Sequence, residues 1–234
     1  MPPSIPDTPC AICSLPGLAP YADALAQQRA LVERRLAGDI PDTLLLLEHP
    51  PTITLGRGTR DTDLLTPPDI LAGRGIEVVR VDRGGEITYH GPGQLVGYPV
   101  LDLKGHGQDL HRYLRQLEDV LITTLAGVGV TGERIAGLTG VWVEGRKIAA
   151  IGIKVSRWIT MHGFALNISL GLGPLRHDFV PCGIRGRDVT SLAELLPARS
   201  LTRADLEPLV IKAFADVFAM RPVLCRPDAL AGPP

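Results

Sequence analysis

The chain has 234 residues, of which 45% are hydrophobic and 21% charged, with a formal net charge of −1. That is enough chain to bury a substantial core, and the near-neutral balance lacks the excess of Lys and Arg that a nucleic-acid surface requires. The most apolar runs, around 44–47 and 120–130, are shorter than the ~20 residues of a bilayer-spanning helix, so no membrane segment is expected.

The first residues, MPPSIPDTPC, have no basic stretch followed by an apolar one, as a secretory signal would; a cytoplasmic protein is expected. Residues 1–16 contain five prolines and read as an irregular leader. From 20 to 37 apolar residues recur at Tyr21, Ala24, Leu25, Leu31, Val32 and Leu36, the spacing of one helix face. Residues 43–48 (TLLLLE) form an apolar run suited to a buried strand; residues 52–55 resume an extended segment after His49-Pro50-Pro51. Residues 67–73 predict a short helix opened by proline. Strands are predicted at 76–81 and 95–101, a helix over 108–128, and a hairpin from 141–143 and 147–155 around Glu144-Gly145. A further strand is expected at 163–170, and a helix over 203–220 capped by Ser200 or Thr202. Hairpin-like strands with helices before, between and after them predict an α+β domain with a mixed, largely antiparallel sheet flanked by helices. A single catalytic domain over 17–220 is expected, with a tail from 221 to 234.

Four of the 24 basic residues are lysines: Lys104, Lys147, Lys154 and Lys212. Each invites a search for chemistry that arginine cannot perform, because a guanidinium never changes its protonation state. The four cysteines, Cys10, Cys13, Cys182 and Cys225, read as free thiols rather than a disulfide framework. Cys10 and Cys13 form a CxxC without the further ligands of a tetrahedral zinc site, so no metal is expected.

Two segments stand out. The first runs from Arg83 through Gly84, Gly85, Glu86, Ile87, Thr88, Tyr89 and His90 to Gly91-Pro92-Gly93-Gln94, between two predicted strands. Its glycines permit close backbone approach to a ligand, yet it lacks a nucleotide-binding fingerprint, and an ordinary Gly-Pro turn is the competing reading. The second is Val180-Pro181-Cys182-Gly183-Ile184, where Arg185 and Arg187 make the surroundings of the thiol electropositive and favour thiolate. A small buried hydrophobe is the competing reading for Cys182.

The segment RGGEITYHGPGQLVGYPVLDL closely resembles the signature of the octanoyltransferases of lipoate biosynthesis. LLLLEHPPTITLGR (44–57), GVWVEGRKIAAIGIKVSR (140–157), HGFALNISL (162–170) and VPCGIRGRDVTSL (180–192) resemble other parts of that family in the same order, covering roughly 20–195. The resemblance implies the fold of biotin and lipoate protein ligase catalytic domains. It implies an acyl-enzyme cysteine at Cys182 and a partner lysine at Lys147. The implied acyl-binding wall comprises Arg83–His90 with Ala150, Ile151, Gly152, Gly163, Phe164 and Ala165. The implied donor is octanoyl-acyl carrier protein. The implied acceptors are lipoyl domains of 2-oxoacid dehydrogenases and the glycine cleavage H protein, with no cofactor. An ATP-dependent lipoate or biotin protein ligase and a non-catalytic binder of acyl carrier or lipoyl domains are the rival readings. His90 falls inside the signature, with orienting and structural roles both open; His162 reads as structural, and His49 as surface or packing. Lys147 and Lys154 are an odd number of residues apart, which on a regular strand predicts opposite faces.

Overall fold

The computed structural model describes residues 8–180 and 188–225. Its elements in chain order are β1 (Pro9–Leu18), α1 (Tyr21–Ala37), β2 (Asp42–Glu48), β3 (Thr52–Leu55), α2 (Pro68–Gly73), β4 (Glu77–Arg80), β5 (Ile87–His90) and β6 (Gln94–Val100). There follow α3 (Leu110–Ala126), β7 (Glu133–Ile135), β8 (Leu138–Val143), β9 (Arg146–Ser156), β10 (Ile159–Asn167), α4 (Gly173–His177), α5 (Leu192–Leu195), α6 (Arg203–Phe218) and β11 (Arg221–Cys225). Eight strands form one sheet in the order β11-β1-β2-β6-β10-β9-β8-β7, and three form a second, β4-β3-β5. In the large sheet only the pairs β11–β1 and β1–β2 are parallel, which matches the expected α+β class.

The large sheet is covered on both faces, and that explains the uninterrupted leucines of β2. Leu44 and Leu46 pack with Tyr113, Leu117 and Leu121 of α3 and Val210 and Phe214 of α6. Leu45 and Leu47, on the opposite side of the pleat, pack with Ala24, Leu31 and Val32 of α1. Helix α1 buries Tyr21, Ala24, Gln28, Leu31 and Val32 and stops at Gly38, whose φ of 81° suits a left-handed cap. Asp109 accepts hydrogen bonds from the His111 and Arg112 amides at the start of α3. Thr202 and Asp205 form a capping box on α6. The small sheet has its own core, in which Ile53, Ile87 and Tyr89 meet Leu71, Leu175 and Phe179. Among the described residues no helix is long and apolar enough to cross a membrane.

The two ends of the chain depart from expectation. Residues 9–18 are a strand rather than an irregular leader, and residues 221–225 are a strand rather than part of a tail. The prolines misled: Pro16 sits where β1 breaks register with β2 between Ser14 and Leu18, a place where its missing N–H costs no ladder bond. The cysteine reading is also corrected. Cys13 pairs in register with Cys225, and the two form a disulfide across Cα atoms 5.1 Å apart. Cys10 is three positions from Cys13, and a strand sends the two to opposite faces, into different cores. Cys10 stays a thiol, and burial, reinforced by the Asp42 carboxylate, pushes it up to about 12.

The disulfide closes a loop spanning 212 residues of sequence separation and holds the edge strand β11 on β1. Cys225→Ser is expected to lower the unfolding free energy by about 2–4 kcal/mol. Denaturant titration without reductant measures this; midpoints equal to those of the unaltered protein would contradict a stabilising bridge.

Candidate active site

The signature segment lies as a roof over β9 and β10, and backbone contacts hold it there from both sides. The amides of Gly56, Arg57 and Gly58 donate to the carbonyls of Glu86, Arg83 and Gly85 at 2.9, 3.1 and 3.0 Å. On the other side the Gly84 amide donates to Ile153 O at 2.8 Å. Two glycines make this approach possible: a Cβ on Gly56 would run into the Gly85 carbonyl, and one on Gly152 would sit 3.0 Å from Gly84 O. Arg83 is buried within the roof, its Nη2 donating to Thr54 O at 2.9 Å and its Nη1 to Gly84 O at 3.1 Å. Asp82, just before it, bridges to Lys154 Nζ at 2.5 Å and to His162 Nε2 at 3.1 Å, tying the roof to β9 and β10.

Beneath the roof is a cavity of about 280 Å³. Its lining contains Lys147 and twelve of the residues expected to bind an acyl group: Arg83, Gly85, Glu86, Ile87, Thr88, His90, Ala150, Ile151, Gly152, Gly163, Phe164 and Ala165. Gly84 and Tyr89 do not line it. Strand alternation along β5 explains Tyr89, whose ring points into the small-sheet core while its neighbours Thr88 and His90 face the cavity; Ile87, at the start of the strand, belongs to that core and also borders the cavity. Gly84 instead contributes its amide to β9. Cys182 lies outside the described residues.

Lys147 occupies a β-bulge. Val141 faces Ala149 and Trp142 faces Lys147, so Ile148 is an extra residue on β9. Ile148 and Ala149 both enter the core under α3 and α6, and the alternation is reset beyond them. Lys147, Ala150 and Gly152 therefore share the cavity side with Lys154, against the expectation that the two lysines would face apart. Lys154 is held by Asp82 and does not line the cavity. The Lys147 ammonium nitrogen lies 4.8 Å from the centre of the Trp142 ring, and the lysine side chain is buried. The bulge also turns the backbone of Lys147 outward, where its N–H donates to Asp188 O at 3.0 Å and its carbonyl accepts from Thr190 N at 2.9 Å. Val180 is anchored in turn, its amide donating to Asp63 O at 2.8 Å beside the Leu64–Phe179 bridge.

Rings that sequence reasoning did not assign to the site form the far wall: Tyr21 from α1, Tyr98 from β6 and His162 from β10. Nothing in the local sequence of Tyr21 or Tyr98 marks them, since they arrive from separate elements. His162 has a left-handed φ of 57° within a strand, a costly conformation for a residue with a side chain. Regular alternation would send it with Phe164 toward α3 and α6; it reaches Asp82 on the cavity side instead. His49, behind this wall, donates from Nδ1 to Ala19 O at 2.7 Å, so its Nε2 accepts the Tyr98 hydroxyl at 2.7 Å. His90 Nδ1 donates to Gln94 Oε1 at 2.8 Å, with Gln94 Nε2 donating to Asn167 Oδ1 and Tyr89 O.

These groups are polar but uncharged at neutral pH. Burial lowers His49 and His162 to about 4 and takes His90 well below its ordinary value. It raises Tyr21 to about 12 and Tyr98 well above its ordinary value. Asp82 is held down at about 2: its bonds to Lys154 and His162 outweigh the desolvation that opposes them.

This architecture is that of lipoate and biotin protein ligase catalytic domains. Lipoate-protein ligase A bound with ATP superposes with a TM-score of 0.70 at 14% identity, covering 93% of this chain and 91% of that one. A biotin protein ligase from Aquifex aeolicus superposes at 0.51 and 14% identity, covering 89% and 68%. The model of the lipoyl protein ligase A/B catalytic domain matches residues 20–215, and the chain belongs to that family. A relative from Gloeobacter violaceus, an octanoyltransferase by name, is 55% identical over 216 residues, 92% of either chain.

The buried histidines set a pH dependence for stability. Folded, His49 and His162 stay neutral down to about 4, whereas in the unfolded chain they take up protons below about 6.5. The unfolded state then binds more protons, so stability is full above about 6.5 and falls as pH drops toward 4, by about 3 kcal/mol per histidine. Denaturation midpoints between pH 7.5 and 4.5 should decline accordingly, and His162→Gln should flatten the decline. A flat wild-type profile would show that these rings are not held neutral.

Proposed function

We propose that the protein transfers an octanoyl group from octanoyl-acyl carrier protein to the ε-amine of a lysine on a lipoyl domain, through a thioester on Cys182. The observation that carries this reading is the cavity lined by Lys147 together with twelve of the residues that the family resemblance assigns to acyl binding. Cys182 is two residues beyond the anchored Val180 and six before Asp188, whose carbonyl accepts from Lys147. The octanoyltransferase relative, matching nearly the whole length, supports the same reaction.

In the first step the Cys182 thiolate attacks the carbonyl carbon of the donor thioester. The new C–S bond forms as the carrier's C–S bond breaks, and the carrier leaves as a thiolate that takes up a proton. Thioester replaces thioester, so the step is close to balanced and needs no ATP. In the second step the neutral amine of the acceptor lysine attacks octanoyl-Cys182. An amide forms, the Cys182 sulfur leaves with the bonding pair, and the amine proton goes to a base. The greater stability of the amide over the thioester draws the sequence forward, and dividing the transfer in two is the usual gain of covalent catalysis. Lys147 serves both steps: as an ammonium it stabilises the thiolate, and as an amine it accepts the proton of the incoming lysine. Arginine performs only the first of these tasks.

The reaction would be the first step of endogenous protein lipoylation in the cytoplasm, with lipoyl domains of 2-oxoacid dehydrogenases and the glycine cleavage H protein as acceptors. The shared fold of an ATP-bound ligase favours one second reading, activation of a free acid as an adenylate. Acyl transfer from octanoyl-acyl carrier protein in the absence of ATP separates the two.

Intact mass spectrometry after mixing with octanoyl-acyl carrier protein should show one octanoyl adduct, labile to hydroxylamine and localised to Cys182. An adduct on Cys10, the free thiol among the described residues, or none in protein that is turning over, would sink the mechanism. Cys182→Ser should reduce transfer by at least about a thousandfold. Lys147→Arg should still form the adduct but slow its discharge to the lipoyl lysine by about 10²–10⁴-fold.

A further inference from the structure

The cavity has two ends, and strand register gives its length. On β9 the cavity side runs from Lys147 through Ala150 to Gly152, and on β10 Ala165 and Gly163 stand opposite the last two. Gly97 of β6 faces Phe164, which brings the neighbouring Tyr98 beside Gly163. Lys147 therefore marks one end, and Tyr98 with His162 the other. Five steps of strand separate Lys147 from Gly152, one of them taken up by the bulge, so the floor is roughly 13 Å long. A saturated chain advances about 1.25 Å per bond, from 1.52 Å bonds at the tetrahedral angle, so eight carbons extend about 9 Å. What remains is about the contact distance of the terminal methyl and the carbonyl carbon against their walls.

The far end is closed by rings. Tyr21 is 1% exposed, Tyr98 3% and His162 1%. Tyr21 lies nearly parallel to His90 at 6.0 Å between centroids and 5.0 Å from His49; Tyr98 meets the edge of His162 at 6.4 Å and hydrogen-bonds His49. The rings are therefore packed against one another and against His49, which limits how far each can move aside. The floor itself is bare at Ala150, Gly152, Gly163 and Ala165, which carry at most a methyl group, while Ile87, Leu138 and Thr139 flank it. The wall is uncharged at neutral pH, so contact with a methyl end forfeits no solvation of an ion.

We propose that the ring wall of Tyr21, Tyr98 and His162 is the length gauge of the acyl pocket, stopping a linear saturated chain about eight carbons from a carbonyl held beside Lys147. This rests on the acyl-transfer reading above. Tyr21 is the member whose removal opens the wall outward, since it is contributed by the first turn of α1 rather than by the sheet. The left-handed backbone of His162 has a role in the same account: it turns the imidazole across the end of the floor, where Asp82 fixes it by accepting from Nε2.

The test compares acyl-carrier thioesters of six to fourteen carbons as donors for the wild type, Tyr21→Leu and Tyr21→Ala, reading kcat/KM for transfer to a lipoyl domain. The wild type should be fastest at eight carbons and fall beyond ten. Tyr21→Ala should move the optimum up by two to four carbons and raise the ratio of ten- to eight-carbon transfer about tenfold, the worth of two further buried methylenes. Tyr21→Leu should fall between. Variants that transfer with an unchanged length profile would overturn the gauge while leaving the acyl-transfer reading standing. A wild type that transfers no acyl group of any length would overturn that reading itself. Should both variants fail to fold, thermal stabilisation of the wild type by free saturated fatty acids carries the test. The gain in Tm should peak at eight to ten carbons, and a gain still rising at fourteen would overturn the gauge.

Discussion

The cavity exists because two adjacent strands carry almost no side chains along one shared stretch. Ala150 faces Ala165 and Gly152 faces Gly163 across β9 and β10. A larger residue at Gly152 would strike the Gly84 carbonyl and push the roof away; one at Gly163 would strike the Gly97 carbonyl. A sheet face this bare would be a packing defect if an ordinary helix covered it. Here a glycine-bounded loop crosses it, hydrogen-bonded to Ile153 on one side and to residues 56–58 on the other. The loop spans the gap without filling it, and the space that remains is the pocket.

The polar groups around that space divide into two sets. At one end stands the Lys147 amine; toward Tyr98 stand rings whose hydrogen bonds run to one another, to the backbone and to the side chains of Asp82 and Gln94. The second set reads as polar in sequence, with three histidines and two tyrosines, yet desolvation leaves it neutral. Asp82 links the sets structurally: one carboxylate holds Lys154 and His162 in place and precedes Arg83, the first residue of the roof. The bulge at Ile148 has a comparable double effect. It places Lys147 on the pocket side and releases the lysine's backbone to hold Asp188 and Thr190, the chain that follows the Pro-Cys-Gly segment.

Local patterning made much of this legible. The helix faces of α1 and α3 were readable because burial on one side imposes a 3.6-residue period, and the leucine run of β2 because a doubly covered strand has no polar face. Most of the residues that the resemblance implied for an acyl wall line one cavity, since they are contiguous in the signature or lie on two adjacent strands. Prolines hid β1, and the brevity of β5 hid a strand inside a loop of glycines. The alternation separating Lys147 from Lys154 failed because one inserted residue shifts every later side chain to the other face, and periodicity within β9 alone does not reveal an insertion relative to β8.

By itself, then, the sequence determined the α+β class, most helices and strands, the family and, through its resemblance, thirteen of the lining residues, Lys147 among them, all of which depend on local period or on contiguous motifs. Only the tertiary structure decided the rest. It brought Cys13 to Cys225 through a parallel edge pairing of the chain's two ends. It assembled the far wall from α1, β6 and β10, and set Lys147 in a bulge. These facts depend on register between strands distant in sequence, and register is fixed by the joint packing of both sheet faces, which no single segment encodes.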